Sequence, residues 1–136
     1  MRIFPLIVAF IFALGTIATV SLAQVPSDLT TTEAVSAYCA SQTTTLADCE
    51  DAIDALLAGL TGEELQSAVA ALVAQLQSYY VPGTANPLLA DKIAYLGNFA
   101  VDPDQQTLIG SISDSVRNGE AIDTGAVETG QLASPN

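Results

Sequence analysis

From Leu65 to Tyr80 the apolar residues Leu65, Val69, Leu72, Val73, Leu76 and Tyr80 recur at steps of four, three, one, three and four. That spacing lays a single stripe along an α-helix and cannot be carried by a strand, whose side chains alternate with period two. Alanines at 68, 70, 71 and 74 flank the stripe and let neighbouring helices approach closely. Thr61 and Glu64 stand three apart ahead of it, the spacing of a reciprocal N-terminal cap.

The same grammar recurs along the chain. Thr30 and Glu33 predict a helix from about Thr30 to Ala40. Thr45 caps a second helix from Leu46 to about Ala58, with Leu46, Cys49, Ile53, Leu56, Leu57 and Leu60 on its apolar side and Gly59 and Gly62 at its end. After the breaker YVPGTANP, Asn86 and Pro87 form an N-cap followed by proline at the first helical position, opening a helix through Leu88, Leu89, Ile93, Leu96 and Phe99. Asp102 and Pro103 repeat the device for a fifth helix bearing Leu108, Ile109, Ile112 and Val116, which Asn118 and Gly119 stop. No segment alternates with period two. The expected fold is all-α, a small antiparallel bundle of about five short helices in which brief connections make sequential helices neighbours.

Residues 1–23 have the order of a secretory signal peptide: Arg2, an apolar run from Ile3 to Leu14, then polar and small residues ending at Ser21 and Ala23. Cleavage is expected after Ala23; the competing reading is an uncleaved anchor spanning residues 3–23. The helical domain then covers 24–118, and 119–136, with glycines at 125 and 130 and no sustained period, reads as a disordered C-terminal tail. Export to a bacterial periplasm or the medium is the expected destination.

Export gives the two cysteines of CASQTTTLADC their meaning. Cys39 lies near the end of the first helix and Cys49 near the start of the second, so a hairpin brings the thiols face to face beside the turn, and an oxidising compartment joins them. A disulfide closing so short a loop contributes roughly 2–3 kcal/mol in the chain-entropy model. Redox catalysis favours cysteines two residues apart at a helix N-terminus, and structural zinc needs four nitrogen or sulfur ligands. This chain has two cysteines and no histidine.

Charge excludes more. Without residues 1–23, Lys92 and Arg117 stand against fifteen carboxylates, a formal charge of −13. A surface so acidic repels nucleic acid and anionic membranes, whose binding rests on basic side chains. The missing histidine removes the usual general base at neutral pH. Paired carboxylates alone would suit a glycosidase, but the chain has no tryptophan and a small bundle offers little cleft. No enzymatic activity and no cofactor are expected.

Two places remain as candidate sites. In DCEDAID, Asp54 shares a helical face with Glu50, four residues before it, and with Asp51, three before it, so that Glu50, Asp51 and Asp54 form a candidate weak site for a hard cation such as calcium; the simpler explanation is that acids at a helix N-terminus complement its dipole. Asp102 and Asp104 begin like a calcium loop, but Thr107 stands at the sharp turn and Ser113 at the bidentate position, so that match fails. Tyr79, Tyr80 and Pro82, at the end of the long helix, are candidate contacts for a protein partner, or else the edge of the core. The expected role is a non-catalytic interaction or structural module. The alternatives are a carrier of an apolar small molecule between helices and a weak divalent-cation binder.

Overall fold

A computed structural model describes residue 26 and residues 28–123. Among the described residues there are five α-helices and no strand: α1 Thr32–Ala40, α2 Leu46–Leu57, α3 Gly62–Ser78, α4 Pro87–Leu96 and α5 Pro103–Asn118, with one 3-10 turn at Gly97–Phe99. The expected all-α class and the disulfide at the first helix turn are both present. The expected signal segment, 1–23, and residues 124–136 lie outside the described residues.

Caps set most of the boundaries. The Thr45 hydroxyl accepts from the Asp48 amide at 3.2 Å, the Asn86 side chain accepts from Leu89 at 3.1 Å and Asp102 accepts from Asp104 at 2.8 Å, each satisfying a first-turn N–H that has no helical partner. Two expectations shift. Thr31, not Thr30, caps α1, accepting from Ala34 at 3.2 Å; three consecutive threonines offer the same oxygen in neighbouring registers. Thr61 holds the N-cap position of α3 without a side-chain hydrogen bond. Gly62, the first residue of the helix, has φ +58°, a left-handed entry that glycine permits.

The predicted stripes form the core. Val69, Leu72, Val73 and Leu76 of α3 are buried with Ile53 of α2, Ile93 and Leu96 of α4, and Ile109, Ile112 and Val116 of α5. Leu88, placed on the α4 stripe from the sequence, stays exposed while Leu89 turns inward. The packing order also departs from expectation at one step. α1 lies on α2, α3 on α4, and α4 on α5, but α2 and α3 are not a principal packing pair; α1 meets α3 and α2 meets α4 instead. Gly59 in the α2–α3 link and Gly62 at the first position of α3 both take positive φ.

Past α5 the chain does not leave the bundle at once. Gly119 ends the helix in the left-handed region, its carbonyl accepts from the Gly83 amide at 3.0 Å, and Ile122 packs against the core. Of the segment expected as a tail, residues 119–122 are thus held at the mouth of the α3–α4 loop.

Candidate functional site

The α1–α2 turn is held from two sides. Cys39 and Cys49 are joined with an S–S distance of 2.06 Å, and both are buried. From α4, the Lys92 ammonium donates to three carbonyls along the end of α1 and the turn that follows it, Cys39 at 2.6 Å, Ser41 at 3.3 Å and Thr44 at 2.7 Å. Lys92 is 1% exposed. Its three donors thereby meet three acceptors, two of them at the C-terminal end of α1, where the helix leaves carbonyls without partners and where its dipole favours a cation. Burial draws the lysine pKa below its usual value, and the nearby Asp48 carboxylate partly opposes that.

Lys92 was not among the residues singled out from the sequence, although the signal was there. It stands three residues after Leu89 and four before Leu96, inside the stripe that α4 buries. Ser113 has the same standing on α5, buried between Ile109 and Val116, with its hydroxyl donating to the Ala90 carbonyl at 2.8 Å. A polar residue at a core position of a helical stripe is a placed hydrogen bond.

At the far end of α3 the three candidate contact residues part company. Tyr80 turns inward, and its hydroxyl donates to the Glu120 carbonyl at 2.7 Å, fastening the chain after α5 to the end of α3. Tyr79 and Pro82 face solvent; Tyr79 is 51% exposed and Val81 beside it 66%. Gln42, Tyr79, Tyr80, Val81, Thr84 and Asn86 line an open depression of about 240 Å³. Its rim is anchored: the Gly83 amide donates to Gly119, and the Asn86 amide donates to Val116 at 2.9 Å.

The carboxylates of α2 do not gather. Asp51 and Asp54 are exposed and Glu50 half-buried, and among the described residues no group of three or more acidic or cysteine side chains converges to hold a metal ion. Asp54 accepts from the Tyr95 hydroxyl of α4 at 2.8 Å. Burial, then that hydrogen bond, then the negative charges of Asp54, Glu50 and Asp51, push the Tyr95 phenol up to about 12. Across the molecule Arg117 pairs with Asp91 at 2.6 Å. Both cations of the described chain are therefore engaged within it, one on backbone carbonyls and one on a carboxylate. No family model, curated protein or solved structure matched this chain.

Proposed function

We propose that this chain is an exported, non-catalytic protein-interaction module that meets its partner through the α3–α4 loop. The observation that carries the reading is the pairing of Tyr79 and Val81, two large exposed side chains lining one depression at a loop held by backbone hydrogen bonds to the end of α5. Aromatic anchors on pre-ordered backbone are what binding surfaces use, because little conformational freedom is lost when they are covered. The buried disulfide supports a non-reducing setting, and no helix among the described residues is long and apolar enough to cross a membrane. Among those residues no comparable feature favours a carrier or a cation-binding role.

The test is site-specific photo-crosslinking in the native host. A photoreactive residue at Val81 is expected to yield one discrete adduct that a control at Glu63 does not, and Tyr79→Ala is expected to abolish it. Equal yields at the two positions would remove the proposal.

A further inference from the structure

The depression at Tyr79 lies where three helices finish. The caps of α1 and α3 are Ser41 and Tyr79, and Gly119 after α5 is hydrogen-bonded to Gly83 on the rim. Helix C-termini present partial negative charge, and a basic side chain in the last turn ordinarily offsets it. α1 and α3 have none there, and the Arg117 of α5 is paired with Asp91. The buried Lys92 donates to the α1 carbonyls and offsets that helix's end from inside, which leaves the end of α3, where Tyr79 stands, without a cation of its own. The N-termini of α2 and α4 offset part of this field, yet every side-chain charge in residues 24–136 other than Lys92 and Arg117 is negative. Glu120, exposed beside the Tyr80 hydroxyl contact, adds to the field at this end.

Within that field stands Tyr79, the one aromatic among the large exposed apolar side chains described. A half-exposed phenol ring in a negative surround attracts a guanidinium or ammonium to its face, and the long-range field steers basic partners towards the molecule. Resting on the docking reading above, we infer that the partner seated on this loop is a basic polypeptide segment, which places an arginine or lysine over Tyr79 in the depression and an apolar neighbour against Val81.

The experiment uses the full isotope-labelled mature chain and three short peptides at near-physiological salt: arginine–leucine, glutamate–leucine and serine–leucine. Amide shifts on titration locate each peptide. The expected result is saturable shifts at Gln42, Tyr79, Val81 and Thr84 with the arginine peptide alone. Tyr79→Ala or Val81→Ser should weaken binding by roughly threefold to tenfold, and Glu63→Gln with Glu64→Gln, about 25 Å away along α3, should leave it within about twofold. Shifts spread over the acidic faces of α2 and α3, indifferent to Tyr79→Ala, would mean generic charge attraction and overturn the inference. Shifts at the depression with the serine or glutamate peptide would overturn the basic chemistry and leave the docking site standing. No shift there with any peptide would count against both.

Discussion

Lys92 is a charged residue at a core position, and its neighbours explain why it is tolerated. Three carbonyls replace the water it gives up, and the four-carbon stem fills space between Leu89 and Leu96. Replacing it with methionine keeps the volume and leaves the carbonyls of Cys39 and Thr44 without that donor. Lys92→Met should lower unfolding free energy by about 2–4 kcal/mol, since each orphaned buried acceptor costs about 1–3 kcal/mol; urea denaturation reads it. Tyr95 gives a prediction in pH. Its folded pKa of about 12 exceeds the ordinary value of 10, so between these the folded state holds a proton that the unfolded state has lost. Stability from this group is complete below pH 10 and is lost as pH rises towards 12. Tyr38, raised chiefly by burial, acts in the same direction. Urea midpoints compared at about pH 9 and about pH 11 should fall less in Tyr95→Phe than in the parent.

For the helices, what was legible in the sequence and what was not divides along a physical line. Caps and stripes are local, and so Thr45, Asn86, Asp102 and the α3 periodicity gave the elements to within a residue or two. Packing order is not local: nothing between Leu57 and Gly62 announces that α3 will settle on α1, because that choice is made by residues far apart in the sequence. The candidate site was half legible for the same reason. Tyr79 and Tyr80 are adjacent in sequence; the stripe places Tyr80 inward, but the Glu120 carbonyl that receives its hydroxyl comes from the returning chain forty residues on. Gly119 and Gly59 separate two roles of glycine. Both have positive φ, 79° and 81°, but a Cβ on Gly119 would sit 3.0 Å from the Ala85 amide nitrogen whereas Gly59 faces open space. Gly59→Ala should cost about 1 kcal/mol from backbone strain alone, and Gly119→Ala roughly 2–3 kcal/mol because the α3–α4 loop must also shift; thermal unfolding of the two variants ranks them.

At the level of the whole molecule, a formal charge of −13 on residues 24–136 combines with cations that are all committed internally. Self-repulsion of that size keeps chains apart and works against the compact state, with screening by salt as the relief. Added sodium chloride, from about 10 to about 300 mM, should therefore raise the melting temperature. The lone lysine has a chemical consequence as well. With Lys92 buried, the folded chain offers no side-chain amine to acylating reagents, so a succinimidyl ester should mark it once, at the α-amino group, and a second time only where the α1–α2 turn lifts from α4. Amine-directed crosslinkers would then join this protein to a partner through the α-amino group and through no side chain, and the rate at which the second label appears would serve as a clock for the opening of that turn.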